Sequence, residues 1–163
     1  MNGLKIRPYQ DNDSRAVCQM FEDFIDYLAT LDPMGRVVKQ AEYGKNYLDK
    51  TLKDLKNKDG VFLVAEVDEK IVGTGVAVIE TLSPEDLMEV LPHKPGRVSE
   101  LFVSSQYRRQ GIGTTLMQHL ETYLKQKGCN TIHIEVFAPN HLSHKLYERL
   151  GFSDRNIDLI KLL

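Results

Sequence analysis

The sequence contains no tryptophan, only two cysteines and only six prolines. Cys18 and Cys129 lie far apart and form no C-x-x-C pair. That excludes a disulfide scaffold and a dithiol redox motif, and leaves two reduced thiols in a cytoplasmic protein as the expectation. Long hydrophobic runs are also missing. The longest, Val61–Ala65 and Val76–Ile79, are much too short to span a bilayer, and the first fifteen residues hold no apolar segment resembling a signal peptide. Nor does one sign of charge prevail: 21 basic residues face 23 acidic ones, a net charge of −2. Broad binding to a nucleic-acid backbone requires a cationic face, so neither nucleic acid nor membrane is expected as a partner. A local basic patch for a small anion remains open.

What is present is ordinary for a globular chain. Hydrophobic residues make up 42% of 163 and charged residues 27%. This length predicts one domain over 1–163, able to bury roughly 70% of the surface its unfolded chain exposes. No repeat, low-complexity segment or linker interrupts it.

Periodicity places the elements. Leu4–Arg7 alternates up to Pro8 and predicts an edge strand. Val17, Phe21, Phe24, Ile25, Leu28 and Leu31 follow at helical spacing after Asp11, Asp13 and Ser14, which are cap candidates, and Pro33 ends the pattern. A second helix is predicted from about Val38 to Lys56. The β-branched runs Val61–Val67 and Ile71–Ile79, separated by Asp68-Glu69-Lys70, predict a hairpin. Gly73 and Gly75 mark a bulge or a close backbone neighbour in its second strand. Ser83-Pro84-Glu85-Asp86 carries a cap, a first-turn proline and an acid three residues after the cap, predicting a short helix ending before Pro92.

The second half alternates strand and helix. Strands are predicted at Arg97–Val103, Thr131–Phe137 and Ile157–Leu162, and helices at Gly111–Lys127 and Asn140–Leu150. The fold class is therefore α/β. A mixed, mostly antiparallel sheet would contain a parallel central strand pair, with helices on both faces.

One segment concentrates polar chemistry. The strand Leu101-Phe102-Val103 runs into a polar turn with Arg108, Arg109 and Gln110, and then Gly111, Ile112, Gly113 and Thr114 open an amphipathic helix. Unpaired N–H groups at a helix start and the positive end of its dipole favour phosphate, and glycines let a bulky anion approach the main chain. The same glycines also serve simply to open a helix. The P-loop pattern is absent and the third glycine of the dinucleotide fingerprint is missing, which disfavours a kinase-like or nucleotide-binding protein.

Arg108-x-x-Gly111-x-Gly113 after that strand resembles motif A of the GCN5-related N-acetyltransferases. Asn140, Leu146-Tyr147-Glu148, Leu150-Gly151-Phe152 resembles motif B of the same family. The likeness is strongest from Arg97 to Phe152. It implies acetyl-CoA as co-substrate and a sheet splayed beside the motif A strand. Leu101, Phe102 and Val103 would pair with the pantetheine arm. The N–H groups from Arg108 through Thr114 would cradle the pyrophosphate. Asn140, and more weakly Ser143 and Lys145, would touch the cofactor further along. Tyr147 matches the family's general acid.

The reaction so implied is attack of a primary amine on a thioester, in a ternary complex. A main-chain N–H near Phe102 or Val103 would stabilise the oxyanion, and Tyr147 would meet the departing thiolate. Glu100, on the motif A strand and on the same face as Phe102 by alternation, is the candidate base, acting through water. Tyr147 also reads as a core tyrosine, and Glu100 as a solvated strand residue. The cysteines lie outside both motifs, so no acetyl-cysteine intermediate is expected.

Three further groups complete the reading. His141 and His144 share a helix face without a third metal ligand, so no metal is expected. His133 and Glu135 share a side of their strand and would line either the acceptor cleft or a neighbouring strand. Phe24, Tyr27 and Asp32 fall where the family often builds its acceptor site, or pack as plain core. The acceptor stays open among a small metabolite, an antibiotic, a peptide N-terminus and a lysine. A non-catalytic acyl-CoA-binding sensor is the alternative. A homodimer is the default for a small enzyme.

Overall fold

The computed structural model describes residues 3–162. Five strands form one sheet in the order β1-β2-β3-β4-β5: β1 (Lys5–Pro8), β2 (Gly60–Val67), β3 (Lys70–Ile79), β4 (Pro95–Val103) and β5 (Thr131–Ile134). The first four pair antiparallel and β4 pairs parallel with β5. Helices α1 (Ser14–Leu31) and α2 (Tyr43–Lys58) cover one face. On the other, α4 (Ile112–Gln126) packs on the sheet and α5 (His141–Arg149) adds Tyr147 to the same core. A four-residue helix, α3 (Asp86–Glu89), lies between β3 and β4.

Two covered faces explain why the hairpin strands read as nearly continuous apolar runs. On β2, Phe62 and Val64 turn to Val17, Phe21 and Leu48 of α1 and α2. Leu63, Ala65 and Val67 turn to Leu116, Leu120 and Leu124 of α4. Gly73 and Gly75 let α4 sit close on β3. A Cβ at Gly73 would lie 3.1 Å from Leu116 Cδ1 and from the Phe102 carbonyl, and one at Gly75 3.0 Å from Leu120 Cδ1. The expected bulge is there too, with Val72 left over between Ile71 and Gly73 in the pairing with β2. The hairpin closes on Asp68 and Glu69, both left-handed (φ 48° and 63°), a turn whose twist suits the flanking strands.

Polar pairs secure the ends. Arg7 makes two hydrogen bonds to the buried Asp13 carboxylate, at 2.7 and 2.8 Å, and one to Glu66 at 2.7 Å, tying β1 to β2 and to the start of α1. Ser83 and Asp86 bond reciprocally as the spacing predicted, Ser83 N–H to Asp86 and Asp86 N–H to Ser83 Oγ.

Four expectations are corrected. The parallel pair β4–β5 lies at one end of the sheet rather than at its centre, because among the described residues no strand pairs beyond β5. The second helix begins at Tyr43 rather than Val38, because the Asp32 carboxylate accepts the backbone N–H groups of Met34, Arg36 and Val37 and holds the chain in a turn. β5 ends at Ile134 rather than Phe137, because β4 supplies ladder partners only through Val98. No strand forms at Ile157–Leu162. Ile157 and Leu159 have one parity and Ile160 and Leu162 the other, so no single strand face gathers the apolar set. All four side chains are exposed.

Candidate active site

β4 gives the site its shape. It pairs with β3 from Gly96 to Val103, but with β5 only from Pro95 to Val98. Beyond Val98 the edge that faced β5 carries no strand, and the sheet parts there. A second irregularity lies at the same point: Val76 pairs with Glu100 and Ala77 with Val98, leaving Ser99 as a bulge. Without the bulge, Val98, Glu100 and Phe102 would share one face. With it, Val98 stays among the α4-side core residues, while Glu100 and Phe102 face α1 and α2.

The chain then makes a one-turn 3-10 helix, Ser105–Tyr107, and enters α4 through two left-handed residues, Arg109 (φ 64°) and Gly111 (φ 84°). No side chain caps α4. The first-turn N–H groups of Ile112, Gly113 and Thr114 lack intrahelical acceptors, which is the arrangement that draws anions to helix starts. A Cβ at Gly113 would meet only Leu146 at 3.5 Å and Val103 at 3.8 Å, so the approach to these groups is open.

A cavity of about 340 Å³ follows the parted strands to this helix start. Its walls hold Leu101, Phe102 and Val103 from β4, Arg108, Arg109, Gly111, Ile112, Gly113 and Thr114 from the turn and α4, and Asn140, Ser143 and Tyr147 from the α5 side. Gln110 and Lys145 are exposed and do not join this lining. Residues that sequence reasoning did not assign complete it: Tyr107, Leu142, Leu146 and Arg149. Phe24 and Tyr27 of α1 close the cavity from the other side, whereas Asp32 is occupied by its own turn. Arg108 Nε donates to the Val103 carbonyl at 3.0 Å, and its guanidinium lies 4.5 Å from the centre of the Tyr27 ring.

Glu100 lines a different cavity, about 390 Å³, on the α2 side of β4. Only 6% of Glu100 is exposed. Burial in the absence of an ion-pair partner pushes its carboxyl up to about 7, although the Tyr47 hydroxyl and the Lys50 charge pull the other way. Tyr47 of α2 donates to Glu100 Oε1. Sequence reasoning missed this residue; the available signal was Tyr43 and Tyr47 one turn apart on a predicted helix. Glu135 also lines this cavity, where it accepts from Arg97 at 2.9 Å, while His133 stacks on His93.

Tyr147 is 8% exposed and packs edge-on against Phe152. Burial, with the nearby Glu100 charge adding, pushes its phenol up to about 12, so the group is neutral across the working pH range. Among the described residues no cluster of three metal-ligating side chains exists, both cysteines are free thiols, and no helix is long and apolar enough to cross a membrane. His144 instead meets Asp154 at 2.7 Å.

The parted strands β4 and β5 thus lead, through the turn after β4, to an uncapped, glycine-bearing helix start on an α/β sheet. The sequence profile of the Acetyltransferase (GNAT) family matches residues 20–152, and the chain belongs to that family. It is similar to an N-alpha-acetyltransferase of Sulfurisphaera tokodaii, with 36% identity over 103 residues, 61% of this chain and 60% of that protein. It is also similar to a probable N-acetyltransferase, camello, of Xenopus tropicalis, with 29% identity over 119 residues, 73% of this chain and 50% of that one. The chain thus spans about half the length of these curated relatives. A GCN5-related N-acetyltransferase from Ralstonia eutropha shares the fold with a TM-score of 0.73 at 19% identity, over 98% of this chain and 99% of that one.

Proposed function

We propose that the protein is an N-acetyltransferase that moves the acetyl group of acetyl-CoA to a primary amine by direct attack in a ternary complex. The observation that carries this reading is the bare edge of β4 running straight into the uncapped start of α4. The edge offers the main-chain groups of Leu101 and the Val103 N–H to a pantetheine arm, as an added strand would use them, while the Phe102 main chain faces β3 and the Val103 carbonyl is taken by Arg108. The helix start offers its N–H groups to a pyrophosphate, with Arg108 and Arg109 adding positive charge at the rim.

The chain's residues then have separate tasks. An amine reaches neutral solution protonated, so a base must take a proton before or during attack. Glu100, titrating near 7, is suited to that task and takes the proton through water. The nitrogen lone pair attacks the thioester carbonyl, and the oxyanion that forms is held by the main-chain N–H of Val103, which faces the free edge of β4. As the C–S bond breaks, its electron pair goes to sulfur, where Tyr147 meets it. Complete proton transfer from a phenol pushed up to about 12 by burial to the more weakly basic thiolate is uphill. Tyr147 therefore acts chiefly as a hydrogen-bond donor to the departing thiolate, and the acetylated nitrogen sheds its second proton, which reaches the thiolate through solvent to give the neutral amide and free thiol.

Mass spectrometry of the protein with acetyl-CoA and a panel of primary amines tests the reading. The panel should cover small metabolites, aminoglycosides, peptide N-termini and lysine peptides. One class is expected to gain an acetyl group in step with release of free coenzyme A. Tight acetyl-CoA binding without turnover on any class would favour the sensor alternative instead.

A further inference from the structure

Tyr47 takes no part in the scheme above, yet among the described residues it is the one side chain bonded to the proposed base. Its ring is fixed on three sides. Tyr43 stacks on it at 5.3 Å, Phe21 meets it edge-on at 5.0 Å, and the Lys50 ammonium lies 5.3 Å from its centre. A ring so confined delivers its hydroxyl to one place, and that place is Glu100 Oε1. Among the described residues no protein donor reaches Oε2, and Glu100 forms part of the wall of the α2-side cavity.

We propose that Tyr47 is the positioning residue of this site: its hydroxyl holds one oxygen of Glu100 and leaves the other for the water or amine that enters the α2-side cavity. The proposal rests on the reading of Glu100 as base. A pair serving only to fill the core would be served as well by two apolar side chains, without the desolvation of a carboxylate. Placing a single neutral donor beside a buried acid does something else. It keeps the carboxylate ionisable near neutrality without an ion pair that would suppress its basicity. Desolvation and the Glu100 charge keep the Tyr47 phenol protonated, so it remains a donor at every working pH.

The other charged and titratable groups around Glu100 do not duplicate this role. From α2, Tyr43 stacks on Tyr47, Lys50 lies over its ring and Asp54 sits further along the cavity wall. From α5, Tyr147 lines the opposite cavity. Glu80 and Glu135 are both bonded to Arg97, at 2.8 and 2.9 Å.

The test compares the parent with Tyr47→Phe by two readouts. One is the Glu100 carboxyl titration, followed by carbon NMR of glutamate-labelled protein and assigned by its loss in Glu100→Gln. The other is the acidic limb of kcat/KM against pH. Removing a hydrogen bond to a charged group should move the NMR midpoint and the limb upward together by about one to two pH units, with activity recovering at alkaline pH. Replacing Tyr47 by 3-fluorotyrosine, a stronger donor of nearly the same shape, should move both downward, and serves if the phenylalanine variant does not fold. If neither readout moves in either variant, Tyr47 is packing and the proposal fails, while the base reading stands. If the NMR midpoint moves and the limb does not, Glu100 is not the base, and the proposal falls with that reading.

Discussion

The Tyr27 hydroxyl donates to Asn140 Oδ1 at 3.3 Å, joining α1 to the start of α5 across 113 residues and over the mouth of the β4 cleft. The same oxygen accepts the Ser143 N–H at 3.4 Å and caps α5. Asn140 is thus both a helix cap and a wall of the cleft, and the two roles can be separated. Asn140→Ala loses the cap, about 1 kcal/mol, and should lower Tm by about 2–4 °C. Asn140→Asp keeps an accepting oxygen and should restore most of that Tm. It also puts a negative charge beside the proposed cofactor path, so acetyl-CoA affinity should stay weakened. Scanning calorimetry and titration calorimetry on the two variants check this, and parallel recovery of stability and affinity would show that Asn140 acts only as a cap.

Gly113 tests the anion cradle. The neighbours of a Cβ there, Leu146 and Val103, lie at ordinary contact distance, so Gly113→Ala should bind acetyl-CoA nearly as the parent does. Gly113→Glu places a longer, negatively charged side chain at the helix start. It should reduce affinity at least tenfold, about 1.4 kcal/mol. A folded Gly113→Glu protein with parental affinity would remove the cradle from the account.

Glu100 links function to stability. Its carboxyl rises from 4.5 to about 7 on folding, chiefly because burial disfavours the charge. The folded state therefore holds a proton that the unfolded chain gives up more readily. The corresponding stability is fully present below pH 4.5 and is lost progressively as pH rises to about 7. Glu100→Gln abolishes this loss while keeping an oxygen for Tyr47. Its Tm should match the parent near pH 4 and exceed it at pH 8 by several degrees, an upper bound of about 3 kcal/mol. In the same variant kcat/KM should fall at neutral pH and recover toward alkaline pH, where free amine is abundant. An unchanged pH–rate profile would make Glu100 a structural residue, with Glu135, on the same cavity wall, the next one to examine.

Much of this architecture is legible in the sequence, where local pattern and packing agree. Leu116, Leu120 and Leu124 at helical spacing, and Val61–Val67 facing Ile71–Ile79, are set by burial on one or both faces, and the structure uses them so. The residues around Gly111 and Gly113 are likewise readable, because an uncapped helix start has few local solutions. What escapes is whatever depends on strand divergence or on distant partners. The Ser99 bulge leaves no mark in the alternation, yet it sends Val98 and Glu100 to opposite faces. The Tyr47–Glu100 bond joins residues 53 positions apart, and nothing local announces it. At the other end, Ile157–Leu162 is apolar enough for a strand but has no consistent face to bury, and composition alone overstates it.

Tyr147→Phe is the most direct test of the central claim of acetyl transfer through a hydrogen-bonded thiolate. The variant removes one hydroxyl and leaves the ring packed against Phe152. Initial rates of thiol release from acetyl-CoA, with a confirmed amine acceptor, give kcat and kcat/KM for parent and variant. The account predicts that both fall together, by about a hundredfold, at unchanged acetyl-CoA affinity and nearly unchanged Tm, because the bond forms only as sulfur departs. Parental kcat, accompanied by lower Tm and weaker acetyl-CoA binding, would contradict it and make the hydroxyl a support of the fold.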